Sequence, residues 1–410
     1  MVIQSEDIER WIGEIMKRKG IDNYELEVTE SNSKGDGYSG QMRFVKVVTK
    51  EGKNNSVVYE LVLKAGRESE KLREVCPMED VYLREIHMYT EVFPAVEKLQ
   101  REFNIKTSYK HYPKLFNFCK EDKKETLIFQ NMKQIGYEVH ERKQMQNLEH
   151  VLFVFRTYAK WHGASLALKI KKPELFHDLT KGMTDLMGDL LIESKMIDSI
   201  GDYFTKALNL LKRNGREEVA KKIEENCDVE KIVTKLTLST DKDAEKEAVI
   251  LHGDCWNNNM MFKYENNDLS KPIDMVLIDF QISRLASPIL DLSYYLYAVA
   301  DKSTLEKIDY LLGEYHKELG DYLKQYEIDV NRILTLQRLK ESWKKYGRYG
   351  LVITPFITRV ELCGDDEIID FMDKIEDGSI NDSASNISKQ EEYDRRVLNV
   401  FVHFCDTFLA

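Results

Sequence analysis

The stretch His252-Gly253-Asp254-Cys255-Trp256-Asn257-Asn258-Asn259, followed by Leu277-Ile278-Asp279-Phe280, decides how the rest of this 410-residue chain is read. Apolar strand-like runs precede both segments, at 248–251 and 275–278, so each carboxylate is delivered by a β-segment. A carboxylate, a carboxamide five residues on and a second carboxylate on the next β-segment supply the hard oxygens that Mg²⁺-dependent phosphoryl transfer needs. Mg²⁺ keeps water and phosphate oxygens as further ligands, so one carboxylate and one amide suffice on the protein side. Asp279 then reads as the principal metal ligand, Asn259 as the second, and Asp254 as the group that accepts or orients the proton of an attacking hydroxyl. His252 reads as a loop anchor, because Asp254 already fills the base role.

Upstream residues agree with that chemistry. Gly35-Asp36-Gly37-Tyr38-Ser39-Gly40 matches G-x-G-x-x-G, a weak signal alone. Its context is strand-like on both sides, at 24–29 and 41–50, whereas a dinucleotide-binding turn opens a helix. Gly37, Tyr38, Ser39 and Gly40 therefore read as a loop over nucleotide phosphates. The runs 41–50 and 56–64 form a hairpin across the polar connection 51–55, and Lys64 stands at the end of its second strand, placed to reach phosphates. A helical pattern from about Asp80 sets Val81, Tyr82, Glu85, Met88, Tyr89 and Val92 on one stripe. A carboxylate on a buried stripe needs a partner, which makes Glu85 the candidate to hold Lys64.

Composition fixes the setting. Hydrophobic residues are 42% and charged residues 32% of the chain, an ordinary globular balance. The net charge of −11 disfavours a nucleic-acid or anionic-membrane surface, since both require clustered positive charge. Residues 1–18 carry Glu6, Asp7, Glu9 and Glu14 among apolar positions, an amphipathic helix rather than a cationic signal peptide. No run approaches the roughly 18 apolar residues of a membrane span. The six cysteines are scattered without C-x-x-C, so neither a disulfide framework nor a zinc site is indicated, and a reducing cytoplasm is the expected location.

Further along, 126–130 reads as a strand leading to a polar connection that ends near Gly136. The pattern is then mostly helical to about Lys246, a β-rich island covers 248–280, and helices follow Ser287. The segment 378–395, rich in Ser, Asn and charge, reads as a solvated loop. These features predict an α+β fold of two lobes, a β-rich one over residues 1–132 and a helical one over 133–410 that carries the catalytic loops and the acceptor pocket.

With these residues in hand, the chain resembles the protein-kinase-like superfamily in its small-molecule branch of aminoglycoside phosphotransferases and choline kinases. His252-Gly253-Asp254 stands where protein kinases have His-Arg-Asp. Only seven residues separate Asp279 from Ser287, too few for a peptide-docking activation loop. His252-Gly253-Asp254-x-Trp256-x-x-Asn259, Ile278-Asp279-Phe280-Gln281 and Asp291-Leu292-x-Tyr294 together look like the insect ecdysteroid-kinase-like family. That resemblance implies a bilobal kinase fold, ATP with Mg²⁺ as cofactors, and a small hydroxylated substrate of steroid or xenobiotic type, phosphorylated by a monomer. It also assigns adenine to the backbone of Gln130-Asn131-Met132, where relatives commonly have Glu-Asp-Leu. Gly40 occupies a position where serine is common, which predicts a looser loop. Two rival readings remain: a choline- or aminoglycoside-type kinase for a cationic substrate, and a catalytically silent nucleotide- or hormone-binding protein.

Overall fold

The computed structural model describes residues 4–30, 40–49, 56–235, 242–364, 367, 371–377 and 387–409. Its first part is an antiparallel sheet of β1 (Tyr24–Glu30), β2 (Gly40–Thr49), β3 (Val58–Gly66), β4 (Leu115–Cys119) and β5 (Thr126–Gln130), in the order β1-β2-β3-β5-β4. Strand alternation gives the sheet two buried faces. Leu61, Leu63 and Ala65 of β3, with Val45 and Val47 of β2, pack on Ile8, Trp11, Ile12, Ile15 and Met16 of the opening helix Ser5–Arg18. The opposite face, with Leu127 and Phe129 of β5, meets the helix Met78–His87, which continues through a π-helical turn, Met88–Val92, into Phe93–Glu102.

The remainder is mostly helical, apart from two small sheets. β6 (Glu138–Val139), β8 (Met260–Tyr264) and β9 (Pro272–Leu277) form one, in the order β6-β8-β9. β7 (Val249–Ile250) and β10 (Leu285–Ala286) form the other. Around them pack the long buried helix Leu148–Lys171 and the helices Ile289–Val299, Ile308–Lys324, Arg348–Leu362 and Gln390–Phe408. The fold is thus α+β and bilobal. Among the described residues no helix is long and apolar enough to cross a membrane, and all six cysteines are free and buried.

Several boundaries differ from the sequence reading for physical reasons. Lys64 is followed in β3 by Ala65 and Gly66, which pair with β2, so it lies inside the strand rather than at its end. Gly40 is the first residue of β2 and faces Gly66; a Cβ there would stand 2.1 Å from the Tyr82 hydroxyl and 2.3 Å from the Ala65 carbonyl. Close packing, rather than a looser loop, explains that glycine. The last part of 378–395 is helical from Gln390, with Glu392 pairing to Arg396 at 2.7 Å one turn on.

Candidate functional site

The lysine comes first, because β3 aims it. With Leu61, Leu63 and Ala65 committed to the opening helix, Val62 and Lys64 face the cleft on the other side of the sheet. Lys64 Nζ donates to Glu85 Oε2 at 2.6 Å and to Asp279 Oδ1 at 2.6 Å, with Gln281 Oε1 at 3.4 Å. Glu85 is 1% exposed, and its second oxygen accepts the Phe280 N–H at 3.3 Å. One ammonium therefore gathers a sheet, a helix and a loop. Burial opposes the charge on Lys64, but Asp279 and Glu85 outweigh it and hold the pKa above the ordinary lysine range. Burial pushes the Glu85 carboxyl up, against the pull of Lys64.

The loop 252–259 is shaped by hydrogen bonds to its backbone. The Asp254 N–H donates to His252 Nδ1 at 3.2 Å, so that nitrogen is unprotonated, and His252 Nε2 donates to the Ile278 carbonyl at 2.8 Å. Burial lowers the His252 pKa, in keeping with this neutral tautomer. Gly253 has φ 95°, and a Cβ would lie 2.5 Å from the Ile282 carbonyl, so only glycine fits. Asp291, on the helix Ile289–Val299, accepts the N–H of His252 at 2.8 Å and of Gly253 at 3.0 Å, with His162 Nε2 at 3.2 Å. Burial opposes its charge; His162 and the other donors prevail and hold the carboxyl below its usual range.

Strand register then joins the two halves of the loop. Met260 pairs with Leu277, and the Ile278 N–H donates to the Asn259 carbonyl at 3.0 Å, which brings Asn259 alongside Asp279. Asn259 Nδ2 donates to Asp254 Oδ2 at 2.7 Å and to the Asp254 carbonyl at 3.0 Å, leaving its amide oxygen as the atom available to a cation. That oxygen and the Asp279 carboxylate are hard donors on one cavity wall, a set that suits Mg²⁺. Asp279 has φ 68°, a left-handed conformation costing a non-glycine residue roughly 1–3 kcal/mol and typical of sites where side-chain aim matters. Asp254 Oδ1 accepts the Tyr294 hydroxyl at 3.2 Å. Burial and the nearby Asp279 charge push Asp254 up to about 6, against hydrogen bonds from Tyr294, Asn259 and Trp256.

These groups line one cavity of about 670 Å³. At its first end are Gly40, Lys64, Gln130, Asn131 and Met132, with Val62, Met261 and Ile278 as apolar walls. The Asn131 N–H is bonded to the Glu60 carbonyl at 2.9 Å, and its side chain accepts from the Lys133 N–H at 3.1 Å. Met132 opens a 3₁₀ turn, so its N–H has no acceptor within that turn. Gly37, Tyr38 and Ser39 lie outside the described residues.

The other end is apolar, walled by Met187, Leu190 and Leu191 of the helix Leu186–Glu193, with Met196, Ile353 and Phe356 beyond. Of the tyrosines and tryptophan on the helices Ile289–Val299, Leu336–Tyr346 and Arg348–Leu362, Tyr294 and Tyr349 line this cavity. The rest are core: Tyr295 donates to Gln146 at 2.5 Å, and the Trp343 indole to Tyr297 at 2.8 Å. Asp291 and Tyr294 stand in the sequence motifs with no role legible from their spacing. The methionine and leucine wall is not legible as a pocket, because its residues read as ordinary amphipathic helix.

A sheet lysine held by a helix glutamate, facing a loop aspartate across a cleft with no room for an activation segment, defines a kinase-like phosphotransferase for small molecules. The ecdysteroid kinase-like family matches residues 34–328, and the chain belongs to that family. Among solved structures, the chain is similar to the GDP complex of wild-type aminoglycoside 2'-phosphotransferase-IIIa, at 11% identity, 99% and 100% coverage of the two chains and a TM-score of 0.42. The GDP and kanamycin complex of APH(2")-IIIa is 12% identical, with 97% and 99% coverage and a TM-score of 0.41. No curated protein matches the chain.

Proposed function

We propose that this protein transfers the γ-phosphoryl group of ATP to a hydroxyl of a small apolar molecule, a steroid or a xenobiotic alcohol. The observation that carries the reading is one cavity holding Lys64, Asp279 and Asp254 at a polar centre and ending in a methionine and leucine wall. The adenine lies between Val62 and Ile278 against the backbone of Gln130, Asn131 and Met132, and Gly37, Tyr38, Ser39 and Gly40 serve to bind the phosphates. Lys64, oriented by Glu85, binds the phosphates. Asn259 and Asp279 would hold Mg²⁺, which when bound would neutralise charge on the transferring group. Asp254 faces the acceptor hydroxyl and takes its proton as the oxygen attacks phosphorus and the bond to ADP breaks. Most of the acceleration in such a loose transition state comes from positioning, so the base contributes the smaller share.

The apolar wall favours this acceptor over a cationic one. The helices Leu186–Glu193, Met196–Arg213 and Arg348–Leu362 contribute no carboxylate to the described lining, whereas a polycationic aminoglycoside requires several to replace its hydration; Tyr349 and Phe356 do offer aromatic faces, so choline is decided by the experiment. The test is mass-spectrometric detection of phosphorylated products from ATP and Mg²⁺ over a panel containing ecdysone, plant alcohols, choline and an aminoglycoside. Ecdysone or another apolar alcohol is the expected substrate, and Asp254→Ala should lower its kcat by about 10²–10⁴-fold with ADP affinity nearly unchanged. Product from choline or aminoglycoside alone would overturn the acceptor assignment. Nucleotide binding without transfer to any compound would favour a silent binding protein.

A further inference from the structure

Two buried arginines outside the cavity lining join its apolar wall to the lysine–glutamate pair. Arg84 precedes Glu85 on the helix Met78–His87 and is 7% exposed. Its Nη1 donates to the Ser283 carbonyl and to the Thr184 carbonyl at 3.2 Å, and its Nη2 to the Gly182 carbonyl at 3.1 Å. One turn on, His87 Nε2 donates to the Leu179 carbonyl at 2.9 Å. The segment so held runs directly into the helix Leu186–Glu193, whose Met187, Leu190 and Leu191 face the acceptor end. Ser283, four residues beyond Asp279, donates its hydroxyl to the His252 carbonyl at 3.3 Å. Arg284 is 2% exposed, and its Nε lies 3.2 Å from Oδ1 of Asp185, the N-cap of the same wall helix.

A planar guanidinium presents five N–H groups in fixed directions and holds the carbonyls of two loops at set angles, a geometry that an ammonium with its freely rotating donors on a flexible stem does not fix. We infer that Arg84 is a positioning residue through which the acceptor wall and the Lys64–Glu85 pair set one another's place, so that nucleotide and acceptor bind cooperatively. The inference rests on the function proposed above. By linkage, whatever the acceptor gives to nucleotide affinity the nucleotide gives back to the acceptor.

Hydrogen–deuterium exchange on the full chain tests this without an acceptor. MgADP should slow exchange in the cleft and also in peptides covering 179–193. Arg84→Lys should keep the cleft protection and lose the distant one. Asp185→Asn, which retains a capping oxygen while removing the charge partner of Arg284, should lose part of it and serves if Arg84→Lys does not fold. In a second measurement, saturating ecdysone should tighten ADP binding by about fivefold in the wild type and leave it nearly unchanged in Arg84→Lys. MgADP binding that leaves 179–193 unaltered, or equal protection there in Arg84→Lys, would overturn the inference while leaving the proposed function intact. Failure of MgADP to bind would overturn both.

Discussion

At the scale of single residues, the site turns on the environment of Asp254. Its carboxyl is pushed up to about 6 by burial and by Asp279, so it is half protonated near that pH and ionised above it. In its proposed role as proton acceptor it works only when ionised, so kcat should fall on the acid side of its pH profile. The Tyr294 hydroxyl, 3.2 Å from Oδ1, favours the ionised form. Tyr294→Phe removes a hydrogen bond of about 1 kcal/mol, so the acid limb of the kcat profile should move upward by up to about one pH unit. A profile that keeps its wild-type midpoint would show that the tyrosine does not act on the base. Asp254, Asn259 and Asp279 were legible because their spacing along two β-segments is itself the chemical pattern. Tyr294 carried no such signal: the helix Ile289–Val299 is buried on every side, and a tyrosine there reads as core.

At the scale of elements, the loop that carries Asp254 is held from outside by one helix. Asp291 takes the N–H groups of His252 and Gly253, so its helix fixes the backbone from which Asp254 projects. Asp291→Asn retains the shape but replaces one acceptor oxygen by a donor facing an N–H. The expected cost is about 2–3 kcal/mol in urea unfolding, with a fall in kcat larger than that in nucleotide affinity. Unchanged kcat in a folded variant would count against this loop-holding role. Most strands showed in the sequence, and β5 falls at 126–130 as read. The edge strand β4 did not, and its register breaks between Leu115 and Asn117, which interrupts the alternation a strand is read from. The last helix was hidden for another reason. Its charged first turns read as solvated loop, yet Glu392 pairs there with Arg395 and Arg396 at 2.7 Å.

At the scale of the whole molecule, the helical part buries His140 and His150, and burial lowers the pKa of each. His150 is 1% exposed, with Nδ1 at 2.8 Å from Asn147 Oδ1 and Nε2 at 3.2 Å from the Tyr264 hydroxyl. Burial pushes its pKa down to about 4, with His140 adding to the shift. Above the ordinary pKa of about 6.5 both folded and unfolded forms are neutral. As pH falls from there to about 4, only the unfolded chain takes up the proton, so stability declines across that window by up to roughly 3 kcal/mol. His150→Gln, which cannot titrate, should flatten the decline in Tm between pH 6.5 and 4. A decline as steep as the wild type would assign it to other groups. The cavity has a consequence of its own. The described lining holds no serine, threonine or cysteine between the nucleotide end and the apolar end. In the reaction proposed above, with Asp254 taking only the proton, phosphorus passes from donor to acceptor in a single displacement and its configuration inverts; retention would show that a carboxylate or imidazole of the lining, Asp254 or His140, carries the group on the way.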